Sequence, residues 1–420
     1  MDFVVILLWV CIGVVLFYIF SDLTKIFLSK PVILYMLSTF NKGNFVILDN
    51  QSNELVKVIN EPDKYVPSIK VINQDNFFSS IYEKSELGLG ESYMRGDWVA
   101  SNNDLVIFLN VLCLNQTNQN IPKISLSNVF SSSQDYDKSN IKHHYDVGND
   151  FYLQFLTDDL NAYSCGFWFS PEDTLNTAQY NKVNTVIKKL QAKPGSSILD
   201  IGCGWGKIAN YISGVTKSKV TGITISDEQE KYAKLNYNPE QVVIINMDYR
   251  KISGQFDFIY SIGMFEHVRY ENYDSFFSTI KKCLKPGGRF VLHTIITFGE
   301  TNKIAKAGDN FVTTHIFPGG QIPKNDWVLN KARSNGLNVV HFEGFGGQHY
   351  ARTLKAWREN MWAQKDWIRT KYPEELMLKY DYYFAVCEAG FNTGMLGIGH
   401  YIIVSEPVLS LTNSFGSITL

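Results

Sequence analysis

The spacing of hydrophobic residues changes several times along the chain and divides it into segments of different kinds. Residues 3–20 are apolar without interruption. Between 23 and 115, short alternating runs stand beside helix-like stretches, which predicts a small α+β domain. A polar stretch rich in Asn, Gln and Ser predicts a linker at 116–140. Beyond it, we expect a second domain at 141–406 and a C-terminal tail at 407–420.

Strand-like and helix-like patterns alternate within 141–406, which predicts βαβ units and a parallel sheet. The candidate strands are 197–201, 219–223, 241–246, 256–261, 289–294, 338–343 and 399–404. Long insertions at 295–336 and 351–392 interrupt the later part of the alternation. Insertions after strand ends build substrate walls in open α/β sheets. The pattern therefore predicts a Rossmann-like α/β domain with helical insertions.

The apolar run at 3–20 has 18 residues, which is just enough to span a bilayer. A cleaved signal peptide would need a basic segment before the run and small residues after it. This chain has an acid before the run, and its nearest basic residues, Lys25 and Lys30, lie downstream. The positive-inside bias then predicts a retained single-pass anchor at 1–22, with the catalytic domain on the cytoplasmic side of the membrane. A cleaved signal and an interfacial helix stay open as alternatives.

Composition changes this picture only a little. A net charge of −2 over 420 residues gives no electrostatic reason to bind nucleic acid. Six scattered cysteines without CxxC spacing predict reduced thiols and no zinc or other metal site. The 23 tyrosines and 28 phenylalanines fit a protein with an apolar substrate, and they fit an ordinary core equally well.

Three glycines, Gly202, Gly204 and Gly206, follow the strand predicted at 197–201. Such glycines let the backbone turn sharply and approach a ligand closely, and the amides that begin the next helix face the same turn. A dinucleotide fingerprint would read G-x-G-x-x-G, with an acid about 20 residues further on. This chain has G-x-G-x-G and no acid before Asp227. The turn therefore suits a nucleoside with a small charged tail, and we predict S-adenosylmethionine.

A series of ordered motifs accompanies the glycine turn. They are 144–150 (HYDVGND), 163–165 (YSC), 220–229 (VTGITISDEQ), 263–268 (GMFEHV), 286–288 (PGG), 292–295 (LHTI), 317–320 (FPGG), 350–354 (YARTL) and 387–391 (CEAGF). Together they resemble the cyclopropane-fatty-acyl-phospholipid synthase family, S-adenosylmethionine-dependent lipid methyltransferases related to the mycolic acid cyclopropane synthases. The resemblance covers about residues 40–405 and implies a class I methyltransferase sheet. Residues 88–98 resemble the lipid-binding N-terminal domain of that family.

Three features depart from the family pattern. Asn392 stands where the family commonly has a basic residue, and His400 stands where it often has glutamine. We expect neither residue to touch the reaction centre. The apolar N-terminal run is not typical of the bacterial soluble enzymes, and it is similar to membrane-tethered relatives that methylate sphingolipid bases.

The resemblance implies transfer of a methylene group from S-adenosylmethionine to the double bond of an unsaturated phospholipid acyl chain. The alkene attacks the sulfonium methyl, and a bound bicarbonate then removes a proton so that a cyclopropane ring closes. By resemblance, the bicarbonate is held by Cys165, Glu266, His293, Ile295 (through its backbone) and Tyr350. His293, Tyr350 and backbone amides can donate hydrogen bonds to an oxyanion, whereas ionised Glu266 must accept the bicarbonate proton. Tyr145 and Phe167 are the candidates for stabilising the carbocation.

The remaining candidates are predicted to bind the cofactor. Tyr163 and Ser164 are expected near its methionine part, with Gly202 and Gly204 forming the turn beneath it. The other positions are Thr224 and Gln229 for the ribose, and Asp248, Tyr249 and Arg250 for the adenine. The family is often dimeric, and the sequence leaves a homodimer open.

Three other functions stay open at this point. A C-methyltransferase acting on fatty acyl or sphingolipid chains would use the same cation but form a methyl-branched or methylene product. A small-amine N-methyltransferase would share the catalytic domain, although the N-terminal domain and the anchor speak against it. A catalytically inactive lipid-binding protein would have no need for Cys165, Glu266, His293 and Tyr350 together.

Overall fold

The computed structural model describes residues 27–115, 148–297 and 310–405. The predicted anchor, the linker, the C-terminal tail and Tyr145 lie outside these residues. Within the described residues, no helix is both long and apolar enough to cross a membrane. The chain divides into two compact units, Met1–Asn128 with Lys371–Ala389 and Val129–Thr370 with Gly390–Leu420.

The first unit contains a four-stranded sheet with strand order β2-β1-β3-β4. Its strands are β1 (Asn44–Leu48), β2 (Glu54–Ile59), β3 (Ser68–Val71) and β4 (Trp98–Ala100). Its helices cover 27–38, Gln74–Met94 and Asn102–Asn115, and it includes residues 374–389 of helix Glu374–Asn392. The sequence boundaries left 371–389 in the catalytic domain. Their place in this unit is secured by contacts such as the 2.6 Å hydrogen bond from Tyr93 Oη to Asp381 Oδ2.

The second unit contains a seven-stranded mixed sheet with strand order β10-β11-β9-β8-β5-β6-β7. Its strands are β5 (Ser197–Ile201), β6 (Lys219–Thr224), β7 (Val242–Asn246), β8 (Phe256–Ile262), β9 (Leu284–Thr297), β10 (Asn338–Phe345) and β11 (Leu396–Val404). Five neighbouring strands, β5 to β9, are parallel, as expected. β11 is antiparallel to both β9 and β10, so the prediction of a parallel sheet is wrong at this end.

Apolar residues cover both faces of this sheet because successive side chains of a strand point to opposite sides. Ile198 of β5 packs with Val183 and Ile212 on one face. Its neighbour Leu199 packs with Phe276 on the other. The helices in the described part of this unit are Asn149–Tyr152, Leu175–Leu190, Lys207–Thr216, Asp227–Asn236, Tyr273–Cys283, Phe311–His315, Asn325–Ser334, Gln348–Ala363 and Lys365–Lys371. The unit is thus a class I methyltransferase-type α/β fold.

The strand order also fixes where a ligand can enter. After β5 the chain adds β6 and β7 on one side, and then returns to place β8 and β9 on the other side. Between β5 and β8 the order reverses, and open α/β sheets bind ligands at the carboxyl ends of strands beside such a switch point. The glycine turn that follows β5 lies at this edge.

Candidate active site

In the glycine turn after β5, neighbouring residues leave no room for a side chain at Gly202 and Gly206, whereas the space at Gly204 is open. All three glycines have positive φ angles, 87° at Gly202, 54° at Gly204 and 78° at Gly206. A Cβ atom on Gly202 would lie 2.6 Å from the Cβ of Met264, and one on Gly206 would lie 2.9 Å from the Tyr237 ring. A Cβ on Gly204 would meet no heavy atom of the described residues within 4 Å. Gly204 therefore presents bare backbone to open space at the switch point.

The next two parallel strands bring the other predicted cofactor residues to the same edge. Thr224 ends β6, and its Oγ1 lies 2.5 Å from Oε1 of Gln229 in the following helix. The two side chains are buried and hold each other in place. The structure thus joins the pair predicted for the ribose, while its contact with the ribose stays a prediction.

Asp248, Tyr249 and Arg250 form a short turn after β7 that is held by its own side chains. Arg250 donates from Nε to Asp248 Oδ1 at 2.8 Å and from Nη2 to Oδ2 at 2.6 Å. The Tyr249 ring is buried against Phe276, with ring centroids 5.4 Å apart. Tyr249 is therefore part of the core in this structure, and the adenine contacts of the three residues stay predictions.

Glu266 stands in the short 3-10 turn Phe265–His267 that follows β8. Its Oε1 accepts a hydrogen bond from the backbone N–H of Ile295 at 2.6 Å. Its Oε2 is buried and has no hydrogen-bond partner among the described residues. Burial raises the pKa of this carboxyl to about 7, against the lowering effect of the Ile295 hydrogen bond. Glu266 thus offers one open oxygen whose charge changes near neutral pH.

This hydrogen bond gives Ile295 a contact that the resemblance did not imply. The resemblance gave its backbone to a bound bicarbonate, whereas in the structure its N–H is engaged by Glu266. The peptide fixes the carboxylate and leaves the other oxygen free for a ligand. Ile295 therefore positions the Glu266 carboxyl, and its own contact with a bicarbonate ion stays a prediction.

His293 lies on β9, paired with Ile262 at the end of β8. Its Nδ1 lies 2.7 Å from Nε2 of His400. Burial, together with the charges of Lys182 and Lys189, lowers the pKa of His293 well below its usual value. The ring is therefore neutral at physiological pH. The expectation that His400 stays away from the reaction centre is wrong, because it contacts His293 directly.

Cys165 is fully buried, and its Sγ donates to the carbonyl of Gly166 at 3.3 Å. Burial raises the pKa of the thiol far above its usual value, so the group is a thiol and not a thiolate nucleophile. The N–H of Gly166 donates to Oγ1 of Thr353 at 3.0 Å. Thr353 belongs to helix Gln348–Ala363, one turn after Tyr350, so the loop of Cys165 is tied to the helix that carries Tyr350.

Two aromatic residues of the site are also placed. The Tyr350 ring is buried against Phe391 at a centroid distance of 4.6 Å. The Phe167 ring is fully buried and lies 5.8 Å from the His293 ring and 5.2 Å from the His400 ring. Phe167 thus packs against the histidine pair, and its predicted contact with a carbocation stays a prediction.

Lys182 is a site residue that the sequence analysis missed. It lies on the buried face of helix Leu175–Leu190 and donates from Nζ to Ser164 Oγ at 2.8 Å and to Gln179 Oε1 at 2.6 Å. Burial lowers its pKa to about 8, while the charge of Asp158 opposes that shift. A lysine at an apolar position of an amphipathic helix was the available signal. Its hydrogen bond fixes Ser164, next to Cys165.

Comparisons with known proteins agree with this fold. The family profile described as mycolic acid cyclopropane synthetase matches residues 132–401. The chain is 37% identical over 335 residues to the cyclopropane-fatty-acyl-phospholipid synthase of Escherichia coli K12, covering 77% of this chain and 84% of that protein. It is 27% identical to a tuberculostearic acid methyltransferase of Mycobacterium tuberculosis, covering 82% of this chain and 84% of that protein.

A solved structure shares the catalytic fold. It is a mycolic acid cyclopropane synthase in complex with SAH and CTAB, 30% identical, with a TM-score of 0.59. The match covers 64% of this chain and 98% of that one. With the family profile spanning well over half of its residues, the chain belongs to the mycolic acid cyclopropane synthetase family.

Proposed function

We propose that this protein transfers a methylene group from S-adenosylmethionine to the double bond of an unsaturated phospholipid acyl chain and so forms a cyclopropane ring. The observation that carries the proposal is the buried carboxyl of Glu266, which keeps one oxygen without a partner among the described residues of a cyclopropane synthetase fold. The similarity to the Escherichia coli phospholipid synthase supports the substrate class.

The residues at the switch point fit S-adenosylmethionine. The open space in front of Gly204 is room that a side chain at this position would fill. When bound, the cofactor supplies a methyl group on a positively charged sulfur. Lys182 holds Ser164, and Thr224 and Gln229 hold each other, so the side chains that we assign to the cofactor are in fixed positions. An isolated alkene is a weak nucleophile, so the rate depends on how closely such side chains align the two reactants.

The open oxygen of Glu266 and the neutral ring of His293 are groups of the kind that fit a bicarbonate ion. An acceptor oxygen without a partner and a neutral imidazole with one hydrogen are the complementary groups for an anion that carries a proton. When bound, bicarbonate supplies the base that accepts a proton from the transferred methyl group. Glu266 in its ionised form would accept the hydrogen of the ion and so make it more basic, while His293 would donate a hydrogen bond to one of its oxygens.

An aromatic cluster surrounds Tyr163, the residue before Ser164. The Tyr163 ring lies 5.5 Å from Tyr152, 5.2 Å from Trp357 and 6.1 Å from Phe317, measured between centroids. Such rings exclude water and stabilise a passing positive charge through their faces. We assign to this cluster the protection of the carbocation, together with Phe167 and Tyr145.

The anchor and the location of the protein belong to the same proposal. Residues 1–22 hold the chain in a membrane, with the catalytic domain on the cytoplasmic side. The uninterrupted apolar run at 3–20 supports this, as does helix 27–38, which exposes Phe27 at 77% and Tyr35 at 74%. Alkaline carbonate extraction should leave the full chain with the membranes and release a variant that lacks residues 1–22. Extraction of both would contradict the anchor.

The main experiment is mass spectrometry of lipids from cells that express the protein and are fed methyl-labelled methionine. We expect labelled monounsaturated phospholipid chains to gain the mass of one methylene and to resist mild hydrogenation. The Glu266→Gln variant should form at least about 100-fold less of this product, whereas Glu240→Gln, which changes an exposed carboxylate, should form as much as the unaltered protein. Absence of labelled lipid with the unaltered protein would overturn the proposal.

A methyl-branched product is the second candidate, because the chain is similar along most of its length to a tuberculostearic acid methyltransferase. The labelled chains would then be saturated and branched instead of containing a ring. The same experiment separates the two, since fragmentation of the labelled chains locates a branch or a ring.

A further inference from the structure

Four side chains of the second unit form a continuous hydrogen-bonded series from the candidate site towards the protein surface. His293 Nδ1 lies 2.7 Å from His400 Nε2, and His400 Nδ1 lies 2.9 Å from Lys189 Nζ. Lys189 Nζ in turn lies 2.5 Å from Glu343 Oε2. His293, His400 and Lys189 are 1%, 0% and 7% exposed, whereas the Glu343 side chain is 24% exposed. We call these four residues the His–Lys relay.

The sheet and one helix bring these residues together. β9 and β11 are antiparallel, and their register places His293 directly opposite His400. Glu343 lies on β10 opposite His400 in the same way, and Lys189 reaches both from helix Leu175–Leu190. The Phe167 and Phe345 rings pack against this group, with Lys189 Nζ 5.2 Å from the Phe345 centroid. Packing of this kind leaves the imidazole rings little freedom to rotate.

The hydrogen-bonding properties of the four side chains determine which group donates and which accepts in each pair. An ammonium group can only donate hydrogen bonds, so Lys189 donates to Glu343 and also to Nδ1 of His400. His400 must then carry its hydrogen on Nε2, where it donates to Nδ1 of His293. His293 accepts at Nδ1 and therefore carries its own hydrogen on Nε2. Each tautomer follows from the one before it.

The assignment requires a charged Lys189 and two neutral imidazoles. Burial lowers the pKa of Lys189, but the hydrogen bond and charge of Glu343 act in the opposite direction. Burial is also the largest cause that lowers the pKa of His400, followed by His293, Lys189, Lys182 and His341. Burial is likewise the largest cause that lowers the pKa of His293, followed by the charges of Lys182 and Lys189. Burial and the surrounding positive charges therefore keep both rings neutral.

We propose that Lys189 and His400 are positioning residues that fix His293 as its Nε2–H tautomer, so that it presents a donor to the anion bound beside Glu266. The identity of that anion rests on the proposed function, but the tautomer does not. The other tautomer would turn a lone pair towards an anion, which repels it. The His–Lys relay thus determines whether His293 offers a hydrogen-bond donor or a lone pair to the bound anion.

Two substitutions of His400 differ in whether they keep its hydrogen bonds to His293 and Lys189. In His400→Gln, the amide nitrogen can donate to His293 Nδ1 while the amide oxygen accepts from Lys189, so the direction of the series is kept. In His400→Leu, neither bond can form. Lys189→Met removes the donor that sets the direction, and Lys188→Met is its matched control because Lys188 is the adjacent, exposed lysine.

The direct test is long-range nitrogen–proton NMR on the full chain with 15N-labelled histidine, with His293 assigned through His293→Gln. We expect a protonated Nε2 and an unprotonated Nδ1 for His293 in the unaltered protein, in His400→Gln and in Lys188→Met. In His400→Leu and Lys189→Met we expect a mixture of tautomers. Hydrogen on Nδ1 of His293 in the unaltered protein would overturn the proposal, and so would an Nε2–H tautomer that persists in both disrupted variants.

Turnover provides a second readout. We expect His400→Leu to lower kcat by about 10–100-fold with little change in KM for S-adenosylmethionine, and His400→Gln to restore most of the loss. Equal losses in His400→Leu and His400→Gln would contradict a positioning role based on hydrogen-bond direction. If the NMR result is as expected but the unaltered protein methylates no lipid, the proposed function fails and the tautomer assignment stands.

Discussion

The two sides of the candidate site differ in how far apart along the sequence their hydrogen-bonded partners lie. On the cofactor side, comprising the glycine turn, Thr224–Gln229 and Asp248–Arg250, hydrogen-bonded partners are five and two residues apart. On the acid–base side, comprising Cys165, Glu266, His293, Tyr350 and the His–Lys relay, partners are much further apart. His293 and His400 are separated by 107 residues, and Gly166 and Thr353 by 187. The side-chain hydrogen bonds of the cofactor side thus lie within single short segments, whereas those of the acid–base side join distant parts of the chain.

The largest effect should come from the acid–base side. We expect Glu266→Gln to lower kcat by about 10²–10⁴-fold, since a carboxylate that acts in proton transfer is replaced by an amide that cannot accept the proton. Binding of S-adenosylmethionine should stay within about twofold by calorimetry, because the cofactor side is built separately. A loss of cofactor binding equal to the loss of kcat would break the distinction between the two sides.

The raised pKa of Glu266 predicts how stability changes with pH. Burial raises this pKa from 4.5 to about 7, so the carboxyl stays protonated longer in the folded chain than in the unfolded chain. The resulting stability is fully present below pH 4.5 and is lost as the pH rises through about 7. Relative to Glu266→Gln, the unaltered protein should lose about 3 kcal/mol of unfolding free energy across this range. Urea unfolding at pH 5 and pH 8 would measure it, and a constant difference would contradict it.

On the cofactor side, Gly204→Ala should weaken S-adenosylmethionine binding by about 10–100-fold. The new methyl group would occupy the open space at a residue with φ of 54°, and the strained backbone would cost about 1 kcal/mol of stability. Gly195→Ala is the matched control, because Gly195 has φ of 85° and equally open surroundings at the opposite end of β5. It should lose the same stability and bind the cofactor normally. Equal Kd values for the two variants would place the cofactor elsewhere.

Thr353→Val tests the long-range tie between the Cys165 loop and the helix of Tyr350. It removes the acceptor of two donors, Gly166 N–H and Trp168 Nε1–H, each at 3.0 Å. We expect a loss of about 1–3 kcal/mol in unfolding free energy, since one buried and one half-buried donor are left without an acceptor, together with reduced kcat. Thr185→Val changes a half-buried hydroxyl that bonds within its own helix, and should cost less than about 0.5 kcal/mol.

The smallest effect should come from the local pair on the cofactor side. Asp248→Asn weakens the bonds from Arg250, but the turn also has its backbone bonds and the buried Tyr249 ring. We expect a loss of less than about 1 kcal/mol by denaturant unfolding. A loss larger than that of Thr353→Val would show that local contacts matter more than the long-range ones.

The difference in range also explains what could be predicted from the sequence. The glycine turn and the five parallel strands were predicted because their signals lie within a few consecutive residues. The contact of His400 with His293 could not be predicted, because it depends on the antiparallel register of β9 and β11, which no local sequence pattern indicates. Lys182 was missed for a similar reason, since its partner Ser164 lies on a loop 18 residues before it. The hydrogen bond between Glu266 and Ile295 could not be predicted either, because it depends on how β8 and β9 lie relative to each other.

Because β11 runs antiparallel to β9, the short turn before β11 sets which of its residues lies opposite His293. Strand β11 begins at Leu396, after helix Glu374–Asn392 and the three residues 393–395. Inserting or deleting a single residue there would slide β11 by one position and exchange the two faces of the strand. Tyr401 or Gly399 would then stand opposite His293, and neither has an imidazole to offer it. In the evolution or engineering of this enzyme, the length of this turn should be as strictly constrained as the identity of the residues in the site.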